Sequence, residues 1–592
     1  MCGLFGFVNL REPSINHLDR GRAALNTLQH RGPNQWGDSV LDNVYIGHRR
    51  LSILDVSEAG RQPLMSENGD VTLTANGEIY NFTSLRSELC GAYKFNSNSD
   101  SEVALHGYCA WGLDTLVERI DGMYAIVIYD RPAKKLNLVR DRIGIKPLYY
   151  AQLGDWFVWA SELKAIVKFF EDSQLQIDTT ALYDLLTYRY IPAPKTPYIE
   201  VRKLLAGHYL TLDTLSGRVS QHRYWSLPTS IQDGTHNQFA DKLRAKIDES
   251  VKSHLISDVP VGSFLSGGID STIISMHASR ATHGMQAFSI GFDVPGYDET
   301  EFARIAAASF GLMHHERRLV RGDSDNLISW MSETYDEPFG DYSALPTWHV
   351  SQLAREHVTV ALSGDGSDEM FGGYYRYEQI ARIIKRRGPF AGVIEKSPFR
   401  LPYIKQPKNK WESITNRLAL NGAMGLFELY VVLSNAVPRD IREGYRNALN
   451  IPNDYDDYWL LRQYYKPELG VRRALQYMDF HTYLPDDILT KVDRASMAVS
   501  LECRVPFLSR DLVEFAFTLP EDFLYLNGQL KGGLKYAYRN LLPQPILNRP
   551  KKGFGIPTHV WQIIGEDNRS FEQIILKKFL ENTDCDLDLS SL

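Results

Sequence analysis

The hydrophobic pattern of this chain changes character near Gln238, and that change restricts the fold more than any single residue does. Ahead of about residue 210, short runs rich in Val, Ile, Tyr and Phe alternate with polar turns, at 44–47, 71–75, 125–129, 136–140 and 157–160. Helical spacing interrupts them at 15–29 and 101–111. Such a pattern makes a strand-rich α+β domain. Beyond Gln238 the apolar runs 259–265, 287–292 and 358–362 alternate with helical stretches at 239–254 and 272–281, as parallel strands with helical crossovers do. Past Tyr374 the pattern is mainly helical. A chain of 592 residues exceeds one hydrophobic core, and the break falls between the proline-rich 190–197 and the polar 229–237. The expected domains are 2–215 and 236–592.

Composition removes several function classes. A formal net charge of -7 offers no footprint for nucleic acid or an anionic membrane. The five cysteines, Cys2, Cys90, Cys109, Cys503 and Cys585, lack CxxC spacing, which argues against a zinc site or disulfide framework and for a reducing, cytoplasmic setting. The first residues have no basic run ahead of their apolar stretch, so no secretory signal is expected. No membrane span is expected either: the most apolar segment, 426–437, is broken by Glu428 and Asn435 and reads as a buried helix.

Two groups of residues carry chemistry. In Met1-Cys2-Gly3-Leu4-Phe5-Gly6, removal of Met1 leaves Cys2 with both a thiol and a free α-amine, a nucleophile with its own base. Asn76-Gly77-Glu78 follows the apolar run 71–75; there a side-chain amide and a backbone N–H can hold an oxyanion, although Asn-Gly taken alone is a turn signal. Arg50 and Asp100 offer complementary charges for a zwitterion such as glutamine, or are surface charges. In the second half, Ser266-Gly267-Gly268-Ile269-Asp270-Ser271 lies between an apolar run and a helix, where backbone N–H groups can surround phosphate; no Gly-Lys-Ser or Gly-Lys-Thr competes with it. The acidic loop Ser363-Gly364-Asp365-Gly366-Ser367-Asp368-Glu369 follows 358–362, so Asp270 and Asp368 can share Mg²⁺ on a pyrophosphate.

With these pieces in order, and with His30-Arg31-Gly32-Pro33, Arg50-Leu51-Ser52-Ile53, Asn76-Gly77-Glu78-Ile79-Tyr80-Asn81 and Asp100-Ser101-Glu102, the first half resembles the class II glutamine amidotransferase domain. The resemblance implies an N-terminal nucleophile hydrolase fold, an αββα sandwich. It also implies Cys2 as nucleophile with its own amine as base, Asn76 and Gly77 as the oxyanion hole, and Arg50, Asn76, Glu78 and Asp100 as glutamine ligands. Asn34 stands where the family usually has Asp, without touching those roles.

The second half resembles the synthetase domain of asparagine synthetases, a pyrophosphate-loop ATPase with a helix-rich C-terminal part. Besides the two loops, the likeness rests on Tyr483-Leu484-Pro485-Asp486-Asp487, Lys491 to Met497, Ser500 to Phe507, Gly532-Gly533-Leu534-Lys535-Tyr536 and Arg549-Pro550-Lys551-Lys552-Gly553-Phe554. It implies ATP on Leu265, Ser266, Gly267, Gly268, Asp270, Ser271, Ile290, Ser363 and Gly364, with Lys535 offsetting charge at the leaving pyrophosphate. Asp365 stands where many members have Glu. The implied reaction has two halves. Glutamine is hydrolysed to ammonia, and ammonia amidates an aspartate carboxylate activated as its adenylate. The same chemistry on another carboxylate, such as a uronic acid of a surface-polysaccharide precursor, is the alternative. The implied partners are these small molecules, and the resemblance suggests a homodimer.

Overall fold

The computed structural model describes residues 2–170, 175–294, 296–324, 326–387, 410–422, 424–551, 555–556 and 570–583. In the amino-terminal domain two six-stranded sheets lie face to face. The first runs Val201–Lys203, Tyr149–Leu153, Trp156–Ala160, Gly3–Asn9, Val44–Arg50, Gln35–Leu41, antiparallel throughout. The second runs Val219–Arg223, His208–Asp213, Lys135–Arg140, Gly122–Asp130, Val71–Ile79, Leu64–Met65, also antiparallel. Leu4, Val8 and Ile46 of one sheet interdigitate with Val127, Leu138 and Leu210 of the other. The outer faces are covered by helices: Leu18–Asn26 and Leu163–Phe170 on the first sheet, Phe82–Leu89 and Ser101–Arg119 on the second. This is the expected αββα sandwich.

Three details differ from the sequence reading. The strand expected at 71–75 continues to Ile79, so Asn76-Gly77-Glu78 lies inside a strand, paired with Met123–Ala125, and makes no turn at a strand end. The turn signal is overridden because neighbouring strand Gly122–Asp130 is long enough to pair the whole run. The helix expected at 101–111 runs to Arg119 across a kink at Gly112, whose φ is 75°. The hairpin of His208–Asp213 with Val219–Arg223 extends the strands beyond about residue 210, because polar Val219–Arg223 is an edge strand with little hydrophobic pattern to announce it.

The second domain is built on a five-stranded parallel sheet ordered Met313–Leu319, Gln286–Phe292, Val261–Phe264, Val360–Leu362, Glu502–Arg504. The chain starts on the middle strand Val261–Phe264, works outward to one side, then returns to the other. That reversal opens a crevice at the carboxyl ends of Val261–Phe264 and Val360–Leu362, where open α/β sheets bind ligands. Both glycine-rich loops leave from those two ends. Beyond Tyr374 the described residues are mainly helical, and 426–437 holds the buried helix Leu426–Leu433. No helix among the described residues is long and apolar enough to cross a membrane.

Candidate active sites

Cys2 is buried where strand Gly3–Asn9 begins. Its backbone nitrogen, the atom that becomes the α-amine once Met1 is gone, donates to Asn76 Oδ1 at 2.7 Å. Met1 itself lies outside the described residues. Asn76 is fully buried, and with Oδ1 engaged its Nδ2 has no partner among the described residues. A buried amide N–H without an acceptor costs about 1 to 3 kcal/mol, a cost that an oxygen acceptor placed there would relieve. Gly77 follows with φ 143°, and a Cβ there would stand 1.9 Å from the Met123 carbonyl oxygen; only glycine fits. Burial pushes the Cys2 thiol up from its ordinary value, against the Leu51 backbone hydrogen bond and the charge of Arg50. His48 on the adjacent strand is no base for it: burial pushes its pKa down to about 3.

Arg50, Glu78 and Asp100 are all buried, so none is a surface charge. Asp100 accepts from the Ile79 N–H at 2.6 Å, and burial raises its pKa to about 6. Arg50 is already engaged. Nη1 donates to Gln35 Oε1 (2.7 Å) and the Ser57 carbonyl (3.1 Å), and Nη2 to the carbonyls of Leu54 (2.9 Å) and Asp55 (2.6 Å). Glu78 faces the second domain, where Arg504 Nη2 stands 3.2 Å from Oε1. Burial raises the Glu78 carboxyl well above its ordinary range, with Arg504 opposing.

At the parallel-sheet crevice a cleft of about 1110 Å³ is lined by Leu265, Ser266, Gly268, Asp270, Ser271, Ile290, Ser363 and Gly364, all from the set the sequence singles out. Gly267 is the exception. It turns away with φ 69°, and a Cβ would press within 2.4 Å of the Phe302–Ala303 backbone, so its part is to seat the loop on helix Thr300–Phe310. Asp270 and Ser271 sit in the first turn of helix Ile269–Ala281, which begins earlier than expected.

The carboxylates of Asp270 and Asp368 converge on one ammonium, Lys531 Nζ, at 2.6 and 2.7 Å. Lys551 takes the other oxygen of Asp368 at 2.6 Å, and Arg549 donates to the Ser266 carbonyl at 3.0 Å. Against its burial, Lys531 and Lys551 hold Asp368 well below the usual carboxylate range. Lys535 also lines the cleft but is half-buried, with no ion pair among the described residues; burial and then Lys531 lower its pKa. The sequence reading passed over Lys531. Lys531 caps helix Gly532–Tyr538 in a left-handed conformation and Lys535 lies within that helix, and the sequence does not tell which of the two is enclosed. Lys552, Gly553 and Phe554 lie outside the described residues.

In the same cleft, Lys491 Nζ pairs with Asp341 at 3.1 Å, Ser363 Oγ donates to Asp365 at 2.5 Å, and Tyr374 donates to Glu369 at 2.6 Å. Burial, with Asp368 nearby, raises Glu369 to about 7, and burial raises Asp365 too. Asp270 and Asp368 supply carboxylate oxygens of the kind Mg²⁺ takes alongside phosphate oxygens, and in this structure Lys531 and Lys551 lie on those oxygens.

The asparagine synthase family profile matches residues 242–584, and the glutamine amidotransferase domain profile matches residues 1–225. Asparagine synthetase (glutamine-hydrolyzing) 1 of Bacillus subtilis (strain 168) is 32% identical over 572 residues, covering 95% of this chain and 88% of its own. Asparagine synthetase (glutamine-hydrolyzing) 3 of the same organism is 28% identical over 580 residues, 94% and 87% of the two chains. Amidase chry2 of Gibberella zeae is 26% identical over 654 residues, 98% and 92%.

Proposed function

The chain belongs to the asparagine synthase family, and from that membership we propose that it is a glutamine-dependent asparagine synthetase. The observation that carries the coupling of two reactions is Arg504. Its side chain reaches Glu78 beside the Cys2 site, and its carbonyl accepts the Ser363 N–H (2.8 Å) in the nucleotide loop. One residue of a central-sheet strand thus touches both centres.

In the first centre the Cys2 sulfur attacks the glutamine side-chain carbonyl, and the α-amine freed by loss of Met1 takes the thiol proton. Asn76 Oδ1 holds that amine by one N–H, and Asn76 Nδ2 with the Gly77 N–H receives the oxyanion. Ammonia leaves and water releases glutamate from the thioester. Asp100 takes the α-ammonium of glutamine. Arg50 offers the α-carboxylate only its Nε while its four Nη hydrogens stay on the loop 54–57 and Gln35.

In the second centre ATP lies along Ser266–Ser271, and the acceptor carboxylate attacks the α-phosphate, expelling pyrophosphate. Lys531, not Lys535, offsets the charge that builds there, since its ammonium is enclosed where solvent cannot screen it. Mg²⁺ held by Asp270 and Asp368 would supply further neutralisation of phosphate charge. Ammonia then displaces AMP; it must stay unprotonated, which favours a water-poor route past Arg504.

Aspartate is favoured as acceptor because Asp341, held ionised beside Lys491, lines the cleft with Asp365 and Glu369, whose raised carboxyls can ionise against an incoming ammonium. Such a set complements an ammonium next to the reacting carboxylate, which a uronic acid lacks. The test supplies purified enzyme with glutamine, ATP, Mg²⁺ and either aspartate or a hexuronic acid, and follows pyrophosphate and the amide by mass spectrometry. Asparagine is expected; pyrophosphate release that ignores aspartate would sink the reading.

A further inference from the structure

Helix Thr490–Met497 reaches into the surroundings of both centres through Lys491, Asp493 and Arg494. It continues directly from a π-helical turn, Leu484–Leu489, a geometry rare in proteins and frequent at functional sites. From this helix Lys491 enters the synthetase cleft and pairs with Asp341. Two residues on, Asp493 accepts both Nη groups of Arg31, at 2.8 and 3.1 Å. Arg31 is fully buried, and its Nε donates to the Cys2 carbonyl at 3.0 Å. The next residue, Arg494, meets Glu162 at 2.9 Å, the same carboxylate that takes Arg31 Nη1 at 2.7 Å. The backbone of the nucleophile therefore hangs on a guanidinium whose orientation is set jointly by Glu162 of its own domain and Asp493 of the other.

We propose that Asp493 is a positioning residue for glutamine hydrolysis, holding Arg31 against the Cys2 carbonyl, and that filling of the synthetase cleft is relayed to Cys2 through helix Thr490–Met497. A bidentate carboxylate fixes a guanidinium in plane, so a shift of the helix when ligands crowd Lys491 and Asp341 moves Arg31 with it. The thiol is affected because the Cys2 carbonyl and sulfur belong to one residue. An error of about 1 Å at a nucleophile costs on the order of a hundredfold in rate.

The proposal rests on the assignment of the two centres above, and the wild-type enzyme measured in parallel separates the two. Wild-type glutaminase activity should rise about fivefold or more when ATP and aspartate are added together. D493N should lower the basal glutaminase kcat by about tenfold to a hundredfold with KM for glutamine within about twofold, and abolish the rise. Its ammonia-driven amidation should stay within about twofold of wild type. D493E should recover most of the loss. Arg31→Lys keeps the charge but lacks the fork that spans Asp493 and the Cys2 carbonyl, so it should repeat the D493N pattern even if D493N folds poorly. Unchanged kcat and an intact rise in D493N, or equal loss of ammonia-driven amidation, would overturn the relay. Absence of glutaminase in the wild-type enzyme would instead refute the assignment of Cys2, and the relay with it.

Discussion

Replacing Lys531 by methionine is the sharpest test of the synthetase centre. The side chain is 3% exposed, and its ammonium is 2.6 Å from Asp270 and 2.7 Å from Asp368. Without it, Asp270 keeps Ser367 Oγ at 2.6 Å and Asp368 keeps Lys551 at 2.6 Å, so the loops retain partners while one positive charge disappears. A unit charge about 4 Å from a phosphate oxygen contributes about 4 kcal/mol at an effective dielectric near 20. Deleting a single preorganised group in other enzymes removes about 2.7 to 4 kcal/mol, a hundredfold to a thousandfold. K531M should therefore cut ammonia-driven pyrophosphate release by two to three orders of magnitude, roughly, and leave glutaminase activity within about twofold. Half-buried Lys535 has no ion pair among the described residues, and K535M should cost about fivefold, as an exposed charge does. Ammonia as nitrogen source keeps the first centre out of the assay. A larger loss in K535M than in K531M would refute the argument from enclosure.

Three further outcomes follow from the first centre. C2A should abolish glutamine-driven amidation and spare the ammonia-driven reaction; equal loss of both would contradict separate centres. Gly77→Ala brings a Cβ to 1.9 Å from the Met123 carbonyl, so glutaminase should fall at least about a hundredfold with ammonia-driven synthesis retained; normal hydrolysis would remove Gly77 from the oxyanion hole. Asp100 must be ionised to receive the α-ammonium, and burial raises its pKa to about 6, so kcat/KM for glutamine should drop tenfold per pH unit below about 6. A profile flat to pH 5 would contradict its role. In stability the sign is opposite to that of a salt-bridged carboxylate: folded Asp100 holds its proton above the unfolded value of about 3.9, so its unfavourable contribution grows as pH rises from about 4 to 6.

The architecture was legible where pattern and length agree. Buried parallel strands such as 287–292 and 358–362 appear as uninterrupted apolar runs, and loops at their ends must lie together once the sheet reverses about Val261–Phe264. Polar edge strand Val219–Arg223 was not separable from loop by periodicity. Asn76-Gly77 misled because turn propensity is local, whereas its pairing with Met123–Ala125 is made by a strand more than forty residues away. Residues with their own chemistry, Cys2, Asp270 and Asp368, could be picked out; their buried counter-ions Lys531, Arg31, Arg504 and Asp493 could not. An arginine or lysine in sequence carries no mark of the carboxylate it meets across a domain boundary.

Those counter-ions also bear on how the two halves are held. Arg31 with Asp493, Arg494 with Glu162 and Lys203 with Glu337 each pair one domain with the other, and in every pair both side chains are nearly or fully buried. Apolar contact at this boundary includes Leu51 and Ile53 against Val360 and Met497. Buried ion pairs gain little over apolar packing, yet removing one member costs about 3 to 5 kcal/mol because the other is left charged and dry. The boundary is therefore poorly suited to sliding, since intermediate positions strand several charges at once. It tolerates small concerted shifts that keep every pair closed. That is the mechanical property a relay between the centres needs: Cys2 and Lys491 can report on one another because helix Thr490–Met497 cannot move without carrying Arg31, Glu162 and Asp336 along.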